Sequence, residues 1–373
     1  MTAVATAVVA VGAATAMTGA GGAGERDTAR PDTSHTTLRL PLPVQPSASK
    51  SAPTATASPS ASASAKRSAS PKTASASPAR RSPAGPAAGK LYRHPQSQVL
   101  EWVAANRGDS RRPLIESSIA SQPAAVWFPQ YNPGAITGDV RAVTSGAAAA
   151  GRIPVLVPYA IPDRDCGGAS QGGAPDLAAY DAWIRGFAAG LGSRPVIVIL
   201  EPDSIALADC LSAQTRAGRF ASLSRAARAM HAANPQAKVY FDAGHSNWHP
   251  AAEQAAALRQ AGAASSGDGI FTNVANFHRT ADEAAYARRV LDALGGPARL
   301  GAVIDTGRNG NGAPAAGQWC DPAGRALGQP PTTSTQQARI DAYLWVKLPG
   351  ESDGCKGAPG TFTPSYAYEL AQR

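Results

Sequence analysis

Seven short apolar segments alternate with helix-like segments, and this alternation limits the fold of the 373-residue chain more than any other feature. The apolar segments predict strands at residues 125–129, 153–158, 195–200, 238–242, 269–274, 300–305 and 342–348. Periodic apolar positions predict helices at residues 136–150, 176–191, 220–233, 251–261, 281–294 and 365–372. Strands interleaved with helices indicate parallel pairing through helical crossovers, as in an α/β barrel or an open doubly wound sheet.

Two further observations favour the barrel. No GxGxxG follows the first strand and no GxxxxGK[ST] occurs in the chain, so the nucleotide-binding open sheets lose support. Polar and aromatic residues follow many different strands, which suits a closed ring that gathers loops at one mouth. We therefore predict a parallel β/α barrel of about seven strands, formed by residues 91–373.

The charge of the chain is concentrated in its first 90 residues. The whole sequence has a net charge of +9, but ten of its Lys and Arg and only three of its Asp and Glu lie in residues 1–90. The remainder is close to neutral, at about +2. A basic segment without a folded basic face gives little reason to expect a nucleic-acid partner, and we expect none.

The same 90 residues predict two segments that lie outside the barrel. Residues 1–24 are small and apolar, which favours a secretion signal, although the basic start of a signal is missing. An uncleaved N-terminal membrane or cell-surface anchor is the alternative. Residues 25–90, rich in Ser, Ala, Pro and Lys, predict a disordered linker. Both segments are typical of a secreted protein.

All four cysteines lie in the predicted barrel: Cys166, Cys210, Cys320 and Cys355. An even count suggests two disulfides, for which three pairings exist. We favour Cys166–Cys210 and Cys320–Cys355, because each pair would close a loop at the same end of the strands. Two pairs of free thiols are the alternative. The spacing does not suit zinc, and His245 with His249 is too small a set to predict a metal site, so we expect no metal and no cofactor.

The residues just past the strands suggest a site for carbohydrate. Carboxylates follow the second, third and last strands, at Asp165, Glu201 with Asp203, and Glu351 with Asp353. Indole rings can carry the C–H faces of a sugar, while carboxylates and amides bind its hydroxyls. Two acidic groups at one rim can also cleave a glycosidic bond. Taken singly, each Asp is more often a helix cap and each Trp more often part of the core.

Two long segments resemble the signatures of glycoside hydrolase family six, the inverting cellulases. They are Val157-Pro158-Tyr159-Ala160-Ile161-Pro162-Asp163-Arg164-Asp165-Cys166 and Val198-Ile199-Leu200-Glu201-Pro202-Asp203-Ser204. The resemblance continues, in the family's order, through Asp242-Ala243-Gly244-His245 with Trp248, Asn273-Val274-Ala275-Asn276, Trp319-Cys320 and Trp345-Val346-Lys347 with Glu351 and Asp353. It covers essentially all of residues 91–373.

The resemblance implies a role for each matching residue. Asp203 matches the general acid that protonates the leaving oxygen, and Asp165 matches the aspartate that raises the pKa of that acid. Asp353 matches the proposed base, acting directly or through a water chain. The remaining matches imply substrate contacts and are Trp127, Tyr159, His245, Trp248, Asn276, Trp319, Lys347 and Glu351. The family fold is a distorted barrel with fewer than eight strands, and its two disulfides agree with the pairing favoured above.

The chain departs from the family pattern at Gln171, where a small residue is usual, and at His278, where Tyr is common. The short segment from Cys320 to Cys355 resembles the open-cleft members rather than those that enclose the chain end. We therefore expect a secreted, monomeric endo-β-1,4-glucanase acting on cellulose or a related β-glucan. The alternatives are an exo-acting cellobiohydrolase and a non-catalytic polysaccharide-binding protein on a surface stalk.

Overall fold

The computed structural model describes residues 90–372. The predicted signal or anchor at residues 1–24 lies outside this part of the chain. So does the predicted linker, apart from Lys90 at its end. Lys90 and Leu91 run beside the segment that precedes the second strand, where the Ile153 amide donates to the Lys90 carbonyl (3.1 Å).

Seven strands form one parallel sheet that follows the order of the chain from β1 to β7. The strands are β1 Val126–Phe128, β2 Val155–Pro158, β3 Val196–Leu200, β4 Ala237–Asp242, β5 Gly269–Thr272, β6 Gly301–Asp305 and β7 Ile340–Leu344. Every neighbouring pair is parallel. The sheet curls into a distorted, incompletely closed barrel, so the predicted fold class is confirmed.

Helices flank the sheet and connect its strands. They are α1 Gln98–Ala105, α2 Arg112–Ile115, α3 Ile136–Ala149, α4 Leu177–Ala189, α5 Ala213–Ala233, α6 Ala251–Gln260, α7 Ala263–Ser266, α8 Thr280–Leu294 and α9 Pro364–Ala371. A π-helical turn at Glu116–Ala120 follows α2. None of the helices in residues 90–372 is both long and apolar enough to cross a membrane.

The strands are apolar on both faces because each face contacts a separate core. On β3, Val196, Val198 and Leu200 pack beneath the helices. Ile197 and Ile199 point into the barrel. A strand buried on both sides reads as a continuous β-branched run rather than an alternating one, which is why Val196–Leu200 was recognisable from sequence.

The barrel has a seam between β7 and β1, and the seam is not closed by strand pairing. The Ala125 amide donates to the Trp345 carbonyl (2.9 Å). The Trp127 indole donates to the Val346 carbonyl (2.7 Å). Both contacts lie next to the strands rather than within a ladder. The mouth of the barrel can therefore open into a groove at this seam.

Two sequence predictions need correction, and two helices were missed. The last strand, predicted at 342–348, is Ile340–Leu344, because Asp305 accepts the amides of Val346 and Lys347 and draws them out of the ladder. The helix predicted from residue 220 begins at Ala213, where the Ser212 hydroxyl accepts the Thr215 amide. Helices α1 and α2 were not predicted, and they pack with α9 in a third core cluster.

Candidate active site

A cleft of about 1000 Å³ crosses the mouth of the barrel. All eleven predicted catalytic and substrate-binding residues line it: Trp127, Tyr159, Asp165, Asp203, His245, Trp248, Asn276, Trp319, Lys347, Glu351 and Asp353. They come from segments spread over more than 220 positions of the chain. The structure therefore brings together the set that sequence reasoning proposed, while the role of each residue is a separate question.

Asp203 lines the cleft and has an unusual backbone conformation and an unusual pKa. Its φ angle of 67° is in the left-handed region, which non-glycine residues seldom occupy outside functional sites. Burial, followed by the charges of Asp242 and Asp165, raises the pKa of the Asp203 carboxyl to about 8, and Lys347 opposes the rise. The carboxyl is therefore protonated at neutral pH and able to donate a proton.

Buried carboxylates at the ends of strands hold the loop that follows the preceding strand. Glu201, which is fully buried after β3, accepts the amides of Ala160 (2.9 Å) and Ile161 (3.0 Å) from the loop after β2. Asp242, at the end of β4, accepts the amides of Ile205 (3.0 Å) and Ala206 (2.8 Å), just beyond Asp203. Glu201 is thus a positioning residue rather than a second acid facing the cleft.

Asp165 is joined to Tyr159 through one serine. The Asp165 Oδ2 accepts both the amide (2.7 Å) and the hydroxyl (2.9 Å) of Ser170, and the same hydroxyl lies 3.2 Å from the Tyr159 hydroxyl. Arg164 holds this loop from the other side. Its guanidinium lies over the Tyr159 ring and donates to the carbonyls of Ser170, Pro129 and Tyr159. The loop therefore presents Asp165 and Tyr159 to the cleft as one unit, despite the Gln171 departure.

Asp353, in the loop between β7 and α9, is paired with two cations. Its Oδ2 accepts from Arg308 (2.8 Å), and its Oδ1 lies 3.3 Å from the Lys347 ammonium. The Asp353 side chain is 7% exposed and that of Arg308 only 1%, so this is a buried ion cluster. Both carboxylate oxygens are engaged, which makes Asp353 chemically different from Asp203.

Asp321, a residue that sequence reasoning missed, builds the loop that carries Asp353. Its buried carboxylate accepts the amides of Asp353 (2.7 Å), Cys355 (3.0 Å) and Lys356 (2.8 Å). The Arg308 guanidinium also lies 3.8 Å from Asp321. Asp321 directly follows Cys320 in sequence, and nothing about that position indicated that it would accept three amides from a segment more than 30 residues away.

Aromatic rings form the walls of the cleft. Trp127 packs edge-on against Tyr159, with ring centroids 5.3 Å apart. His245 lies between Trp248 (5.1 Å) and His278 (4.2 Å). Trp319 is 58% exposed, which is uncommon for so large an apolar ring. Two half-buried indoles and one exposed indole around a groove suit a ligand with flat apolar faces, such as a sugar chain.

The polar residues of the cleft walls differ in their hydrogen-bonding capacity and charge. The Asn276 amide donates to the Val274 carbonyl (3.0 Å), which leaves its oxygen available to a ligand. Burial raises the pKa of the Glu351 carboxyl to about 7, against the opposing charges of Lys347 and Arg308. Burial lowers the pKa of His245 to about 3, so its imidazole is neutral at ordinary pH. The walls therefore present mostly neutral hydrogen-bonding groups.

The four cysteines form the predicted disulfides, Cys166–Cys210 (Cα–Cα 6.1 Å) and Cys320–Cys355 (5.8 Å). Each fixes a loop next to a cleft carboxylate, since Cys166 follows Asp165 and Cys355 lies two residues after Asp353. Residues 90–372 contain no group of three or more His, Cys, Asp or Glu side chains arranged to hold a metal ion.

Comparisons with known proteins agree with this geometry. The sequence profile described as "Glycosyl hydrolases family 6" matches residues 87–369. "Endoglucanase 1" of a Streptomyces species (strain KSM-9) is 56% identical over 76% of this chain and 78% of its own length. "Endoglucanase A" of Thermobispora bispora is 51% identical over 75% of this chain and 61% of its own length.

A solved structure shares both fold and sequence with the described residues. It is an endoglucanase from Mycobacterium tuberculosis in complex with methyl-cellobiosyl-4-deoxy-4-thio-β-D-cellobioside. It is 40% identical and superposes with a TM-score of 0.72 over 78% of this chain and 99% of that one. The family resemblance noted from the two signature segments is therefore confirmed over nearly the whole of the barrel.

Proposed function

The chain belongs to the glycosyl hydrolases of family 6 and is a cellulase, and on that premise we propose that it is a secreted, inverting endo-β-1,4-glucanase with Asp203 as its general acid. The observation that carries the proposal is the environment of Asp203. Its carboxyl lies in the sugar-sized cleft and remains protonated at neutral pH because of burial and two neighbouring carboxylates. A proton donor in that state is what departure of an alcohol from a glycosidic bond requires.

Asp165 and Asp353 take different parts in the proposed mechanism. Asp165 keeps the proton on Asp203 and, with the Ser170 hydroxyl, orients water near the cleavage point. Asp353 is the base, and we favour its action through an intervening water, because Arg308 and Lys347 already engage both of its oxygens. A base that works through water needs a wide separation from the acid, as inverting enzymes have.

Tyr159 and the tryptophans account for substrate placement. The Tyr159 side chain is fixed by Ser170 and Arg164, so it can crowd the sugar ring at the bond to be cut. Trp127, Trp248 and Trp319 offer platforms along the cleft, while Lys347, Glu351, His245 and Asn276 offer polar contacts. The substrate is a β-1,4-glucan chain, and the proposed mechanism uses only side chains and water, without a cofactor.

Endo action is supported by the exposure of Trp319 and by the names of the relatives above 50% identity, both endoglucanases. The two disulfides support secretion, because they persist outside the reducing cytosol. A chain that enters an open cleft at any point is cut internally.

Two measurements test this proposal. Proton NMR of fresh products of a cello-oligosaccharide should show the α-anomer first, as inversion requires; initial β-anomer would contradict it. On carboxymethylcellulose, viscosity should fall early relative to the reducing ends released. A slow viscosity loss with steady release of cellobiose would identify an exo-acting cellobiohydrolase, and binding without sugar release would identify a non-catalytic binding protein.

A further inference from the structure

The lining of the cleft includes residues besides its carboxylates and aromatic walls. Six of these residues come from the N-terminal segment, from the turn before β1 and from the loop before α9. They are Arg93, His94, Gln96, Gln98, Gln122 and Gly360. We call these six residues the amide extension. Its six members include no carboxylate and no large aromatic ring, in contrast to the rest of the cleft.

Gln98 joins the amide extension to the cleft and fixes its shape. Its Nε2 donates to the Gly360 carbonyl (2.8 Å) and lies 3.4 Å from the Glu351 carboxylate, while its Oε1 accepts the Phe362 amide (2.8 Å). Arg93 is anchored as well, by donation to the Ala120 carbonyl (2.9 Å). The extension is therefore part of the folded barrel and begins directly beside Glu351.

Other members of the extension have unused hydrogen-bonding capacity. Gln96 is exposed, and the Gln122 amide has only a long 3.5 Å contact with the Ser121 hydroxyl. The His94 Nδ1 is buried without a partner, and burial lowers the pKa of this imidazole, so the ring is neutral at neutral pH. Amides that donate and accept at once suit sugar hydroxyls, which also do both.

We propose that the amide extension binds at least one further glucosyl unit of the β-glucan chain, beyond the units that lie between Trp127 and Trp248. The shared lining of the cleft supports this. All six residues line the same cleft as Trp127 and Glu351, and Gln98 of the extension lies 3.4 Å from the Glu351 carboxylate, a predicted sugar contact. Because the free contacts are hydrogen bonds to the neutral amides of Gln96 and Gln122, without an aromatic platform, the added affinity is modest. This inference rests on the proposed action on β-1,4-glucan.

The test measures binding by calorimetry with the full chain carrying Asp203→Asn, which prevents turnover. Cellotetraose and cellohexaose are titrated into this protein and into the same protein with Gln96→Ala and Gln122→Ala added. Gln260→Ala, on the exposed end of α6, is the matched control because it removes an amide far from the cleft mouth. Loss of one or two neutral hydrogen bonds should change affinity by about 3- to 10-fold.

The expected result is tighter binding of cellohexaose than of cellotetraose, with most of this gain lost in the Gln96→Ala, Gln122→Ala protein and kept in the Gln260→Ala protein. Equal affinity for the two lengths, or a gain that survives the double substitution, would overturn the extension. Failure of the proposed mechanism looks different. Hydrolysis of the titrated sugar by the Asp203→Asn protein would contradict the acid assignment. The relative affinities of the three proteins for the two sugars would still be readable from the initial heats.

Discussion

The two sides of the cleft surround their carboxylates in opposite ways. On the β3–β4 side, Asp203 faces other carboxylates, Asp242 and Asp165, with a lysine only as the smallest influence. On the β6–β7 side, Asp353 is held by Arg308 at 2.8 Å and Lys347 at 3.3 Å. The same residue type is therefore kept protonated on one side and ion-paired on the other. In the proposed mechanism, environment rather than residue identity separates the proton donor from its partner.

Removing the carboxyl of Asp203 should have the largest effect. Asp203→Asn keeps the shape of the side chain but cannot donate a proton to the leaving oxygen, so kcat on soluble β-glucan should fall by about 10³-fold. Steady-state release of reducing ends measures the loss, and oligosaccharide binding should remain. Asp209→Asn, on the exposed 3₁₀ turn after the same strand, is the control. Near-normal turnover by the Asp203→Asn protein would show that Asp203 is not the proton donor.

Removing Arg308, the buried cation beside Asp353, should mainly lower the free energy of unfolding. Arg308→Met leaves the buried carboxylates of Asp353 and Asp321 without their shared guanidinium, which should cost about 3–5 kcal/mol in the free energy of unfolding. Chemical denaturation measures this. Arg216→Met, which breaks an exposed pair with Asp209, should leave the denaturation midpoint unchanged. Equal midpoints for both variants would mean that the β6–β7 side is not an ion cluster in solution.

The basic limb of the pH–activity profile should report the carboxylate neighbours of Asp203. An acid whose pKa is raised to about 8 is active below that pH and loses activity as the pH rises through it. Asp242→Asn removes the larger charge influence and should move the limb about one pH unit lower. Asp165→Asn should move it less. A limb that stays in place in both variants would mean that another group sets it.

The smallest expected effect is a gain in stability. The Asp203 carboxyl is protonated in the folded chain but ionised in the unfolded chain between about pH 4 and 8, so its contribution to stability falls as the pH rises through that range. Asp203→Asn removes this cost, which is about 1.4 kcal/mol at pH 5, and should raise the Tm at pH 5 by about 3–5 °C. At pH 4 the gain should vanish. A lower Tm for the variant than for the native chain would contradict a raised pKa of Asp203 in the folded chain.

The strands and the cleft residues were predictable because their signals are local. Val196–Leu200 is a continuous apolar run, and Asp203 follows it within a recognisable motif. The last strand was misplaced because its end is set by Asp305, a residue some 40 positions away that captures two backbone amides. Asp321 was missed for the same reason. Its partners are distant in sequence, and only the folded barrel brings them together.

The N-terminal part of the site was also beyond sequence reasoning. Gln96 lies just before a helix of only eight residues and Gln98 begins it, so nothing marked them as cleft residues. Their position depends on the pairing of Leu91 with Ile153 and on the contacts of Gln98 with the loop before α9. Such contacts between the two ends of a domain leave no periodic pattern in the sequence.

The most direct test of the contrast between the two sides is the pKa of Asp203 itself. Aspartate labelled with ¹³C at the carboxyl carbon, compared between the native chain and Asp203→Asn, assigns its NMR signal and follows it with pH. We expect a signal that titrates near pH 8. A signal that titrates near pH 4 would show that Asp203 is ionised at neutral pH and would contradict its role as the proton donor.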